Sequence, residues 1–202
     1  MKKLNHYTIL ADMFRYPYPE QALLTASWEE IIAAYGPELV LKFHRHVPYF
    51  RDKSLPIQQE YYINTFDVKA LCYLDIGYVL FGEDYKRGVF LVNMKKEQES
   101  VENDCGSELP DHLPNILTLL PKLGERKLAE ELVCSLMIPA LHKMINDFQS
   151  NDNIYKELLM ILVSIMETDF PDSEFEKFSF HIMSNNNNQG CFIRDNDLGS
   201  KT

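Results

Sequence analysis

The chain has 202 residues, 46% of them hydrophobic and 25% charged, with a formal net charge of −10 and a pI near 5.0. That length accommodates one compact domain and is short for two, and 8 glycines with 10 prolines argue against a many-turned β-sandwich. The acidic balance disfavours nucleic acid, whose phosphates need clustered Lys and Arg, and fits a cationic partner or plain solubility.

Met1-Lys2-Lys3 imitates the basic start of a signal peptide, but Leu4-Asn5-His6-Tyr7-Thr8 follows, with Asp12 and Arg15 soon after. No apolar targeting segment is expected, and the protein is expected in the cytoplasm. Leu4, Tyr7, Leu10, Ala11 and Phe14 form a helical stripe, stopped by the turn-like Tyr16-Pro17-Tyr18-Pro19. Ser27 is placed to cap a second helix carrying Ile31, Ile32 and Tyr35, ended by Gly36-Pro37. A third holds Leu39, Val40 and Phe43 before Pro48.

From Ile57 the chain re-enters helix through Tyr61, Tyr62 and Phe66. Leu71, Leu74, Tyr78 and Phe81 continue at spacings of three and four, which predicts helix across 71–81 with Gly82 as its stop. Asp84 is placed to cap the next helix, which buries Phe90, Leu91 and Met94 and turns polar over 95–104.

Asp111 can cap a helix that runs to about Leu120, leaving Pro114 in the first turn, where its missing N–H costs nothing. Pro121 and Gly124 separate it from a stripe of Leu128, Leu132 and Leu136, and Pro139 is expected to kink or break that helix. Residues 154–166 are apolar nearly all round, the mark of a helix buried centrally in a bundle. Their longest apolar window, 158–166, falls far below the roughly 18 residues of a membrane span.

No long period-two alternation and no fixed-period repeat appears. The fold class expected is all-α, a single-domain helical bundle over 1–170. The Asn-rich stretch at 185–188 marks 171–202 as a mostly mobile tail. Cys72, Cys105, Cys134 and Cys191 are scattered without C-x-x-C spacing, so free thiols are expected and no metal.

Several groups invite chemistry. Asp111-His112, between Pro110 and Pro114, resembles half of an acid–base dyad, yet no G-x-S-x-G or H-E-x-x-H element accompanies it. Helix capping is the mechanical alternative, and it is compatible with gripping a peptide beside the free N–H groups of a helix start. His44-Arg45-His46 are neighbours on a helix and point in different directions, so they form a solvated face. Tyr62-x-x-x-Phe66-Asp67 places two aromatics on one face, either packed in the core or flooring a groove with a carboxylate at its lip. Asp75 is an acid among apolar neighbours and needs a partner, for which Arg87 is the candidate. No Gly-Lys-Ser/Thr phosphate cradle is present.

Three blocks read together carry a resemblance: Tyr62-x-x-x-Phe66-Asp67, then Leu80-Phe81-Gly82-Glu83-Asp84-x-x-Arg87-Gly88, then Glu108-Leu109-Pro110-Asp111-His112-Leu113-Pro114. In order and spacing over 4–170, with the early Tyr16-Pro17 turn, the chain resembles the nitrate reductase delta-subunit family. These are the NarJ-type chaperones, relatives of the TorD and DmsD redox-enzyme maturation chaperones. The resemblance implies a TorD/NarJ-like helical domain with no catalysis and no cofactor of its own. It implies a cytoplasmic chaperone that binds the N-terminal segment of a molybdenum oxidoreductase catalytic subunit. Such a chaperone promotes molybdenum cofactor insertion and delays membrane docking or export. Carried over residue by residue, it nominates Tyr62, Phe66, Asp67, Arg87, Asp111 and His112 for peptide binding.

On the same footing the expected partner is that subunit's leader or its remnant, with no nucleic acid, no stable membrane insertion, and a monomer or weak homodimer. Residues 95–105 and those after Pro139 follow no family pattern. The client class therefore stays open among nitrate, selenate, chlorate, dimethyl sulfoxide and tetrathionate-type enzymes. A general helical interaction module without such a client is the competing reading, and a hydrolase using Asp111 and His112 is a third.

Overall fold

In a computed structural model, residues 4–68, 70–150, 152–171, 175, 177 and 178 are described. The apolar stripe at the N-terminus becomes α1 (His6–Ala11), tightened into a 3-10 turn at Asp12–Phe14. Tyr7, Leu10, Ala11, Met13 and Phe14 all face the core. Pro19 then starts a second 3-10 stretch, Pro19–Leu24, which leads directly into α2 (Thr25–Ala33). Ser27 therefore lies inside a helix instead of capping it, because the preceding turn already has helical dihedrals.

Gly36, at φ 138°, reverses the chain into α3 (Pro37–His44). Pro48 does not end a helix but sits in the first turn of α4 (Val47–Asp52), where its missing N–H has no helical partner to lose. α5 (Leu55–Phe66) follows and contributes Tyr62 and Phe66 to the core.

The helix expected across 71–81 forms only in its second half, as α6 (Ile76–Phe81). Before it the backbone is non-helical, and Cys72, Leu74 and Ile76 are buried while Leu71 and Tyr73 are 42% and 43% exposed. The stretch is a series of bends whose first two N–H groups, those of Leu71 and Cys72, donate back to the Thr65 carbonyl at 2.8 and 3.4 Å. Gly82 (φ 58°) stops α6, and the Asp84 carboxylate accepts the Lys86 N–H at 2.9 Å to cap α7 (Tyr85–Ser100), both as expected. α7 buries Phe90 and Met94, with Leu91 half-buried.

α8 (Leu113–Leu119) is buried along its whole length and packs on α1. Beyond it α9 (Arg126–Glu131) passes into a π-helical turn, Leu132–Met137, and then into α10 (Ile138–Asp147). Pro139 perturbs this rod as expected, but the outcome is a widened turn and no break. α11 (Ile154–Asp169) is the central helix, packed against α10 and α3, with Leu158, Leu159, Ile161, Leu162, Ile165 and Met166 buried.

The fold is all-α: among the described residues no strand forms, only an isolated antiparallel bridge between Asp75 and His112. One hydrophobic cluster runs from Leu4 to Phe170, with Phe178 packed against its edge. The tail reading for 185–202 falls outside the described residues, as does Cys191; Cys72, Cys105 and Cys134 are free thiols. No described helix is long and apolar enough to cross a membrane, and no metal-binding cluster occurs among the described residues.

Candidate functional site

The Asp75–His112 bridge joins the bent segment before α6 to the segment before α8. Leu113 N–H donates to the Leu74 carbonyl at 2.9 Å, and Ile76 N–H donates to the Asp111 carbonyl at 3.1 Å. Asp111 does not cap α8, whose N-cap position is His112. Its carboxylate reaches across the bridge and accepts the Gly77 N–H at 2.8 Å. Asp111 thus serves two of the free N–H groups at the start of α6, a helix distant in sequence. A Cβ at Gly77 would stand 2.7 Å from Asp111 Oδ2 and 2.8 Å from a Phe90 ring carbon, so a larger residue there forces these side chains to shift.

Asp75 holds the N-cap position of α6, yet its carboxylate points to His112, with Nδ1 to Oδ1 at 3.0 Å. The pairing expected between Asp75 and Arg87 gives way to this one. Arg87 instead lays its guanidinium over the Tyr78 ring, 5.0 Å from the centroid, and Tyr78 packs edge-on against Tyr73. Arg87 still acts on the cluster, because its charge favours the ionised form of Asp111.

Asp111 is fully buried, and Oδ1 makes no hydrogen bond among the described residues. Burial, and then the nearby Asp75 carboxylate, push its pKa up to about 6 against the pull of the Gly77 N–H and Arg87. The side chains of His112 and Asp75 remain 13% and 26% exposed, so this pair is the accessible part of the block.

The aromatic–Asp block lies beside it. Tyr62 donates its hydroxyl to the Phe14 carbonyl at 3.1 Å and stacks edge-on against Tyr16, Phe66 and Tyr155. Burial raises the Tyr62 pKa, and the carboxylates of Glu108, Asp75 and Asp67 add to it, opposed by Arg15. The charges of three acids from three separate stretches of sequence are thus felt at one phenol. Asp67 and Glu108 are exposed, and Tyr16, Val68, Leu71, Tyr73 and Leu109 put large apolar surface outward in the same stretches.

Of the six nominated residues, Tyr62 and Phe66 are core aromatics, while Asp67 and His112 reach the surface. Arg87 is half-buried over Tyr78, and Asp111 is interior. No protein-family model matches the chain. It is, however, 26% identical over 166 residues to the probable nitrate reductase molybdenum cofactor assembly chaperone NarJ of Bacillus subtilis (strain 168). The aligned region covers 80% of this chain and 88% of that one. This chain is similar to a NarJ-type assembly chaperone.

The supports of the site lie partly in the polar stretch at 95–105. Gln98 Nε2 donates to the Pro110 carbonyl at 2.8 Å, and Asn115 Nδ2 donates to the carbonyls of Leu109 and Cys105 at 2.9 and 3.2 Å. Asn103 Nδ2 ties them together through Gln98 Oε1 at 2.6 Å and Thr118 Oγ1 at 3.0 Å. This buried amide network aims the Leu109-Pro110 backbone at α6. Amides spaced along a polar stretch look like solvent-facing residues in sequence, so no signal marked them.

A second polar knot lies near the chain ends. Buried Asp169 accepts from the hydroxyls of Tyr7 at 3.0 Å and Tyr35 at 2.9 Å, and His6 Nε2 lies 2.8 Å from the same carboxylate. Arg126 donates to the Asp169 carbonyl at 2.8 Å and covers the Phe170 ring. Its members come from α1, the end of α2, α9 and α11, so it joins the fold together.

Proposed function

We propose that this chain is a client-specific chaperone of a molybdenum oxidoreductase catalytic subunit, nitrate reductase or a relative. It binds the subunit's N-terminal segment in the cytoplasm, promotes molybdenum cofactor insertion, and delays membrane docking or export. It acts by binding and not by catalysis. The observation that carries this reading is the similarity to NarJ over 80% of the chain, and the Asp75–His112 bridge, which joins the Leu-Pro-Asp-His block to the stretch before α6, supports the choice of site.

The chemistry of that surface fits a basic amphipathic segment. Asp67, Glu108 and the Asp75–His112 pair offer charge-assisted contacts to Lys and Arg, while Tyr16, Val68, Leu71, Tyr73 and Leu109 meet an apolar face. Tyr62 and Phe66 form the floor beneath, and Arg87 and Asp111 hold its geometry from inside.

Two measurements test the proposal. A pull-down from the native cell, read by mass spectrometry, is expected to recover a molybdopterin oxidoreductase catalytic subunit. Recovery of unrelated proteins alone would favour a general helical interaction module. Calorimetry with the leader peptide of that subunit is expected to show about tenfold weaker binding to Asp67→Ala, one good charged contact being worth roughly 1.5 kcal/mol. Wild-type affinity in Asp67→Ala and in His112→Ala would remove this surface from the site.

A further inference from the structure

The short helix α6 is held at both ends by groups from outside it. At its start Asp111 takes the N–H groups of Ile76 and Gly77. At its other end Phe81 packs edge-on against Phe178, with ring centroids 5.2 Å apart. Six residues make this helix only about 9 Å long, too short to be stable without such holds.

The seat of Phe178 has a specific origin. Pro139 has no N–H, so the carbonyl four residues earlier, on Ser135, loses its ordinary α-helical donor. The Phe178 N–H donates to that Ser135 carbonyl at 2.8 Å. The π-helical turn, Leu132–Met137, thus presents a main-chain acceptor beside an aromatic ring, and Phe178 fills both positions. Phe175, three residues earlier, has Lys127 of α9 over its ring, 5.9 Å from the centroid.

We propose that Phe178 is a clasp through which the C-terminal segment controls how firmly α6 is held, and thereby regulates peptide binding at the other end of that helix. The regulatory half rests on the reading given under Proposed function; the mechanical half does not. Engaged, the clasp keeps the Asp75–His112 pair and the buried Gly77 amide in register for a ligand. Released, it leaves Phe81 with Phe90 but without the Phe178 ring; α6 keeps its packing on α7 and α10 yet is held less firmly at its end, and the surface formed by Asp67, Asp75 and Glu108 loses part of its preorganisation.

Hydrogen exchange on the full-length chain tests the mechanical half. In Phe178→Ala, amides of 77–81 are expected to exchange about tenfold faster, while those of α2 and α3 stay unchanged. Phe175→Ala serves as the control and is expected to leave 77–81 at the wild-type rate. Unchanged exchange in Phe178→Ala, or equal acceleration in both variants, would overturn the clasp. Calorimetry with the client leader peptide tests the other half, with about three- to tenfold weaker binding expected for Phe178→Ala. Faster exchange with unaltered affinity would overturn the regulatory role. A leader peptide that binds neither protein would sink the peptide-site reading, while the exchange result still decides the clasp.

Discussion

Asp111 has a buried carboxylate with one oxygen engaged by the Gly77 N–H and the other without a partner among the described residues. Its folded pKa, about 6, lies above that of an unfolded aspartate, so the folded state binds the proton more tightly. Stability from this group is therefore fully present below about pH 4 and is lost as pH rises through about 6. The loss amounts to roughly 3 kcal/mol in the limit of an isolated group. Urea titrations of wild type and Asp111→Asn across that range should show the wild type falling relative to the variant between pH 4 and 6, then a constant difference above pH 7. At Gly77 the expected effect is steric. Gly77→Ala should cost about 2–3 kcal/mol in urea unfolding, because the added methyl meets both Asp111 and Phe90 in a packed interior. Asp84 and Gly82 could be read from sequence because each acts on its own helix. Asp111 could not, since its partner lies on a helix that the chain leaves well before reaching it.

Helices were legible where an apolar stripe coincided with a local start or stop, as in α5, α7 and α11. The exceptions share one cause, apolar residues placed for something other than a helix face. Leu71 extends the spacing that predicts helix, yet it and Tyr73 are exposed on a bent segment before α6 and belong to the candidate site. Pro48 and Pro139 read as breakers, but one starts a helix and the other sits within a continuous rod that widens to accommodate it. For α11, the Asn153 side chain accepts the Tyr155 N–H at 2.9 Å and the Lys156 N–H at 3.4 Å. Asn153→Ala should lower stability by about 1–2 kcal/mol, seen as a reduced Tm with the helical circular dichroism of the folded state retained.

Across the whole molecule, the two ends of the core are joined by Asp169, which receives Tyr7 and Tyr35 and pairs with His6. Asp169→Ala leaves those groups without their shared acceptor and should cost roughly 3–5 kcal/mol in urea unfolding. Loss of less than 1 kcal/mol would show that water replaces the carboxylate. The same scale governs recognition. Binding of a basic leader peptide should weaken as salt is raised from 0.05 to about 0.5 M, because the contributing carboxylates are exposed. A salt-independent affinity would place the apolar contacts, and not the acids, in control.

The Asp75–His112 bridge closes a loop whose two ends meet at a single point while α6, α7 and the amide-rich turn lie between them. Changes on the exposed face of α7 therefore begin and end at the same anchor, while its buried face stays tied to α8 through Gln98, whose amide donates to the Asn115 carbonyl. Variation there, at Val92, Lys95 or Glu99, can retune the charge seen by a partner without moving the base of the loop. The loop is in this sense a unit with a fixed base and an adjustable outer face, and the buried contacts of Gln98 and Asn103 to Asn115 and Thr118 are what any exchange of the 76–111 stretch has to preserve.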